Sequence, residues 1–563
     1  MRHQGFIRNL LLLATLLVAS TALQARTVTV NVSSIAKGTN LATALNNQIQ
    51  RLTYDDTFAI NFDQPGTYIL DDVIIGKCSV TMTGTGADNT IVLLKKNESQ
   101  KKLNSDAFIT IAGTPTNPIS VTIRDLSINL MEHQGIWWEN SEFHAVKIYH
   151  ANKVDLRNVK STMLNAKITN FDLRVCSNVT VENCVISNYN NCSTGGNLWL
   201  RGEMHNITIR NNKFYKYGND EAVAFFSKTI NAKNSAPGNI SRTNIRVTDN
   251  EFYYQHNDKL IDGMFNDMIF SVLTSDHYPE YSCDMRGFEL ARNKFYVNDL
   301  CKRIIHFQFD TKDRHSDFVI HDNEFISNNV KSGETFYRMD IDVWDLSTQQ
   351  DTIVVRNNTM TNKYAIMNPY NGSGYTFLLV RSGNLLLDGN KVNNLITTGP
   401  NRKSYGVNLL WCGKEGGTVT LRNNVCKGLA RIATLESGNG IGQFSLTAFN
   451  NYFQGRTTIY CKKIDRLDLD FRNNTFDCNH DYFFLEDFAS KGNVIFNNNK
   501  VTVTTRNGQF MAHYGNASTS SMRFEKLEIR GNEFRGVNSQ NDMLKHISNV
   551  RKRKVKSNSF YPR

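Results

Sequence analysis

The sequence predicts an all-β chain folded as a right-handed parallel β-helix, a solenoid of about fifteen coils with a short N-terminal capping helix. Three observations carry the prediction. A motif of the form apolar-x-apolar-x-x-Asn-x-apolar recurs fifteen times, at intervals of 23 to 43 residues, and such self-similarity marks a repeat architecture. Each copy alternates with period two before the Asn, which is a strand signal. Finally, 563 residues with only eight prolines and no low-complexity linker suit a solenoid, which lengthens without thickening its core.

Residues 1–25 precede the fold. Arg2 and Arg8 begin the chain, Leu10 to Ala22 is a short apolar run, and small residues follow at Ala22 and Ala25. This reads as a cleaved signal peptide, too short for a comfortable membrane span. No Cys sits at the cleavage site, so no lipoprotein anchor is expected. A secreted or periplasmic chain without a membrane span follows. Residues 26–118 form the cap and first coils, with Leu41, Leu45, Ile49 and Leu52 on one face of a short helix covering the open end of the solenoid. Residues 119–563 form the remaining coils.

Twelve full copies of the motif run from NITIRNNKF (206–214) through NIRVTDNEF (244–252) and LDFRNNTF (469–476) to RKVKSNSF (553–560). Three weaker ones precede them: VTIRDLSI (121–128), VDLRNVKS (154–161) and VTVENCVI (179–186). The Asn is expected at a sharp turn, where it tolerates the left-handed conformation. Asn212, Asn250, Asn293, Asn323, Asn358, Asn390, Asn424 and Asn451 are expected to stack as an amide ladder. A further strand falls between copies, as in HAVKIYH (144–150), FDLRVC (171–176) and NLWLRG (197–202).

The formal charge is +12; without Arg2 and Arg8 it is +10, and six of those charges lie in the last thirteen residues. Such a balance favours an anionic partner, although a solvated charged end explains it equally well. No nucleic-acid partner is expected, and the chain is read as a monomer. Of the ten cysteines, buried free thiols are the preferred reading. Cys283 with Cys301, Cys412 with Cys426 and Cys461 with Cys478 remain open as local pairs.

A cap helix, FAINFDQPGTYIL (58–70) and VTMTGTGADNTIVLL (80–94) resemble the start of pectin lyase-like proteins. The resemblance covers most of residues 38–563. It implies a β-helix that cleaves acidic polysaccharide along a groove beside one sheet. YGNDEAVAFFS (217–227) resembles the GDDCIAI segment of polygalacturonases, matching Asp220 and Glu221 to that family's acids. Gly218 is displaced by Asn219, however, and the NTD, GHG and RIK motifs are absent. For Asp220 and Glu221 a role in starting the strand outweighs catalysis.

Alternation along these strands puts Val146, Ile148, Leu173, Val175, Leu198 and Leu200 inward. It puts Lys147, Tyr149, Arg174, Trp199 and Arg201 on the solvent face, with His306, Asp340, Asp342, Trp344 and Arg381 farther along. Lyase chemistry needs a group that neutralises the uronate carboxylate and a base for the C5 proton. Lys147, Arg174, Arg201 and His306 are the catalytic candidates, the first three at equivalent places on successive coils. Trp199, Trp344 and Arg381 are candidate substrate contacts, joined by Tyr149, by Asp220 and Glu221, and by Trp137 and Trp138 from the segment 129–143. Asp310, Asp340 and Asp342 offer oxygen ligands for Ca²⁺, though no calcium-loop motif is present. The leading expectation is a polysaccharide lyase on a glycosaminoglycan or pectin type of polymer. The alternatives are a polygalacturonase-like hydrolase with paired carboxylates and a non-catalytic glycan-binding solenoid.

Overall fold

The computed structural model describes residues 25–70, 74–95, 107–130, 143–164, 168–189, 195–218, 221–227, 239–255, 268–273, 282–297, 303–309, 313–327, 339–343, 351–362, 376–394, 407–436, 442–505, 507–512 and 523–562. Their strands pair only in parallel, each with its counterpart one coil away. A full coil runs through a first-row strand, a second-row strand, a sharp corner and a third-row strand. The fold is a right-handed parallel β-helix.

The second row fixes the level count. Inward residues in register run from Ile123 through Leu156, Val181 and Ile209 to Val555, matching the fifteen copies of the motif. Val30, Ile60 and Met82 add three earlier levels that the motif does not mark. Helix α1 (Leu41–Ile49) starts at Asn40, whose side chain accepts from the Thr43 amide at 2.8 Å, a standard helix start. Ala42, Leu45 and Ile49 are buried, so α1 packs its apolar face onto the core.

The asparagines stack as expected, and the ladder is longer than the eight residues singled out. From Asn212 to Asn558, each amide donates to the oxygen of the Asn one level on, at 2.9–3.1 Å. In the three weaker copies the same position holds Leu126, Val159 and Cys184, all buried, and Cys184 N donates to Asn212 Oδ1 at 2.8 Å.

The expected conformation of the ladder asparagine is corrected. The residue before it takes the left-handed turn: Asn211, Asp249, Arg292, Asp322 and Asn357 have φ between 53° and 59°. Turning and stacking belong to two adjacent positions, because an amide aimed along the solenoid axis needs ordinary backbone geometry. The apolar residue two places later stacks inside, with Phe214, Phe252, Phe295 and Phe325 at successive centroid spacings of 5.0, 4.7 and 5.1 Å.

Val550–Lys556 and Ser559–Tyr561 are the last described strands of the second and third rows, so the basic end is part of a coil. Seven cysteines are described with their side chains, and all are free and buried, including Cys283, Cys426, Cys461 and Cys478. Cys461 and Cys478 therefore do not pair, while Cys301 and the side chain of Cys412 lie outside the described residues. Burial pushes the Cys176 and Cys184 thiols up to about 12, which makes them inert packing groups. No described helix is long and apolar enough to cross a membrane.

Candidate functional site

On the outer side of the first row, three consecutive strands bring charge together. Phe143–Arg157, Ile168–Glu182 and Leu198–Arg210 align Lys147 with Asp172 and Trp199 along one line. Tyr149, Arg174 and Arg201 align along the next. Arg174 and Arg201 thus occupy equivalent places, whereas Lys147 lies one line away, beside Asp172, contrary to the expected equivalence of all three.

Asp172 is the centre, and the sequence reading did not name it. Arg174 Nε donates to its Oδ2 at 2.7 Å, Arg201 Nε to its Oδ1 at 3.1 Å, and His144 Nε2 lies 3.3 Å from Oδ2. Arg174 Nη1 donates to the Tyr149 hydroxyl at 2.8 Å. The Lys147 ammonium and the Arg174 guanidinium each sit 5.0 Å from the Tyr149 ring centre. Arg201 covers Trp199 at 4.6 Å and Phe226 at 4.9 Å, within cation–π range.

The expected solvent exposure is corrected. Lys147, Arg174, Trp199, Arg201 and His306 are only 1–4% exposed. Alternation assigns a side chain to a face but not the cover over that face. Trp199 is no open stacking platform, since Arg201, Phe226 and His144 enclose its ring. Val175 is also not the inward core residue expected. It takes φ 53° at the bend between rows, half-buried, while Cys176 turns inward. A β-branched residue in that region is strained, and the strain lies next to Arg174.

Burial sets the protonation states. It holds His144 down to about 3, against the pull of Asp172, so the imidazole is neutral at pH 7. Burial alone would raise Asp172, but His144, Arg201 and Arg174 outweigh it and hold the carboxyl down at about 2. With His144 uncharged at neutral pH, the two guanidinium groups carry that effect. Among the described residues, Lys147, Arg174 and Arg201 gather around the Asp172 carboxylate. His144 Nδ1 and Trp199 Nε1 are buried without a hydrogen-bond partner. Gly196 makes room for the indole, because a Cβ there would lie 2.3 Å from Trp199 Nε1.

Other expected site residues do not join this cluster. His306 lies on the line of Asp172 and Trp199 but three levels beyond Trp199, roughly 14 Å at strand spacing. Glu221 is buried and accepts from Ser271 Oγ at 3.1 Å. Trp137, Trp138, Asp220, Asp310 and Trp344 lie outside the described residues, as do the side chains of Asp340, Asp342 and Arg381. Among the described residues no three His, Cys, Asp or Glu side chains converge as a metal site would require.

Strict alternation hid His144. Ala145 and Val146 both belong to the core, so the pattern breaks there and His144 reaches Asp172 on the outer side. Asp172 itself was legible in FDLRVC, one residue from Leu173 on the face already assigned.

No family model matches the chain, and no curated protein does. Among solved structures it is similar to the catalytic domain of Agl-KA, with 13% identity and a TM-score of 0.34, covering 81% of this chain and 69% of that one. Tailspike protein 3 of Bacteriophage CBA120 gives 11% identity and a TM-score of 0.33, with coverages of 88% and 60%. The A-module of the Azotobacter vinelandii mannuronan C-5 epimerase AlgE6 gives 11% and 0.23, with 93% and 95% covered. At these scores none of the likenesses bears on chemistry, and the fold stands on its own strand register.

Proposed function

We propose that the chain is an exported polysaccharide lyase that cleaves a uronic-acid polymer by β-elimination. The observation that carries this reading is the gathering of Lys147, Arg174, Arg201 and the Tyr149 hydroxyl around Asp172 on rigid strands. Guanidinium and ammonium groups are the kind that bind a uronate carboxylate, and fixed cations act strongly where water is excluded. Lys147 and Arg201 stabilise the charge that builds on that carboxylate as C5 loses its proton. Tyr149, half-buried with Arg174 donating to its oxygen, takes the C5 proton as its phenolate and passes it to the departing C4 oxygen. The electron pair left on C5 forms the C4–C5 double bond as the C4–O bond breaks, and the departing oxygen is protonated. His144, held near 3, is too weak a base for this step and positions Asp172.

The hydrolase reading needs two working carboxylates. Here Asp172 is engaged by two guanidinium groups and Glu221 by Ser271, which favours elimination. Export rests on the signal-like residues 1–25. A mature chain found outside the cytoplasm with its N-terminus near Arg26 would support that part.

A panel of acidic polysaccharides, followed for ultraviolet-absorbing products and new reducing ends, tests the reading. Unsaturated products are expected. On that substrate Arg201→Ala and Tyr149→Phe lower turnover by ~10²–10³, the cost of removing one group aimed at developing charge. His306→Ala stays within a few fold. Reducing ends without absorbance would replace the proposal with a hydrolase, and polymer retention with neither would make the chain a glycan-binding solenoid.

A further inference from the structure

A second polar feature lies on the outer side of the third row, on a different face from the Asp172 cluster. A cleft of about 560 Å³ is lined by Asn393, Lys427, Gln454, Asp477, Asn479 and Thr504, among others. These residues come from five successive levels, those of the ladder residues Asn390, Asn424, Asn451, Asn474 and Asn499. At ~4.8 Å per level the cleft follows the solenoid axis for roughly 19 Å.

Two of the lining residues are glycines. Gly428 and Gly455 follow third-row pairings with φ of 70° and 119°. A Cβ on Gly428 would lie 2.4 Å from Asn394 O, and one on Gly455 2.5 Å from Leu429 O. The floor there is bare backbone, and no other residue fits it. The walls are amide, carboxylate, ammonium and hydroxyl groups. Tyr452 OH and Gln454 Nε2 both donate to Asp477 Oδ2, at 3.4 and 3.3 Å, and neither engages Oδ1. Lys427 is exposed and makes no ion pair among the described residues.

We infer that this cleft is a second saccharide-binding site and that it takes an uncharged, hydroxyl-rich oligosaccharide. One ammonium and one carboxylate among the lining residues cancel, so the cleft offers an anion no net attraction. Amides and a carboxylate fixed on rigid strands match vicinal hydroxyls, which both donate and accept. An elongated groove in step with the strand spacing suits an extended sugar chain, each ring meeting a new level. The floor lets the chain approach the backbone closely.

The full chain is titrated with neutral gluco-, manno-, galacto- and xylo-oligosaccharides, with binding read directly by calorimetry or ligand-observed NMR. One neutral class is expected to bind, and Asp477→Ala, Gln454→Ala and Lys427→Ala each to weaken it by about tenfold. Lys427→Ala changes only an exposed side chain, so it keeps the test valid if either other variant unfolds. Arg201→Ala should leave this affinity unchanged, and the readout needs no turnover, so the lyase reading can fail without touching it. The inference is overturned if no neutral oligosaccharide binds, if binding ignores the cleft variants, or if uronate oligosaccharides bind there more tightly than neutral ones.

Discussion

Each ladder asparagine satisfies buried groups on both neighbouring levels. Asn323 Nδ2 donates to Leu290 O at 2.8 Å and to Asn358 Oδ1 at 3.0 Å, while its Oδ1 accepts the Asn293 backbone amide at 3.0 Å. Asn323→Ala strands the Leu290 carbonyl and the Asn293 amide together. A loss of ~1–3 kcal/mol for a buried group left unpaired is the expected shift, read from denaturant unfolding. The opposite case is Arg242. Its side chain is buried between Met204 and Met285 in register, Nε reaches only Gly202 O at 3.3 Å, and Nη1 and Nη2 have no hydrogen-bond partner. Removing a poorly compensated buried charge in favour of an apolar side chain is often neutral or stabilising, by ~1–4 kcal/mol. Arg242→Met should therefore unfold at equal or higher denaturant concentration than the native chain. The ladder was legible because a buried Asn recurring at a fixed place in a strand motif has few other uses. The residue that turns was not, because Asn, Asp, Arg, Gly and Ser all fill that position and no single residue type announces it.

At the scale of a strand, sequence alternation gave the side but not the depth. Arg174 and Arg201 point away from the core as expected, yet they are buried because Asp172, Tyr149, Trp199 and Phe226 engage them. Period two cannot report how outward side chains on neighbouring strands bury one another. The buried cluster makes stability depend on pH. His144, ordinarily near 6.5, is held to about 3 by burial. Its contribution is complete above 6.5 and is lost as pH falls toward 3, because the unfolded chain takes up a proton that the folded one refuses. Asp172 adds a loss between 3.8 and about 2, again as pH falls, since the folded carboxyl resists protonation. Burial also lowers His315, to about 4, so it acts in the same direction. Unfolding midpoints should decline steadily below pH 6.5. In His144→Gln, whose side-chain oxygen can still accept from Arg174, the decline between 6.5 and 4 should be shallower.

A solenoid has two ends, and this one closes them differently. Helix α1 lays apolar side chains over the first coils, whereas the last second-row strand, Val550–Lys556, is bare and carries Arg551, Lys552, Arg553, Lys554 and Lys556. Cations along an exposed edge deter another strand from adding to it, and this explains half the net charge without an anionic ligand. The edge is also part of the structure: Asn558 accepts from Asn532 at 2.9 Å and Phe560 stacks on Phe534 at 5.3 Å. Deleting 550–563 would expose Phe524, Leu527, Ile529 and Phe534 and leave Asn532 as an unclosed rung. The truncated chain should self-associate in size-exclusion chromatography and melt earlier. Replacing Arg551, Lys552, Arg553 and Lys554 by Thr keeps the strand but removes the repulsion, so that variant should also associate while its melting point holds. The Asp172 cluster lies twelve levels away along the second-row register, roughly 60 Å at strand spacing and far beyond the Debye length of ~8–10 Å. Turnover of a uronate polymer by the four-Thr variant, and its salt dependence, should therefore match the native chain; a large fall would tie substrate binding to the basic end and displace the site from the first row.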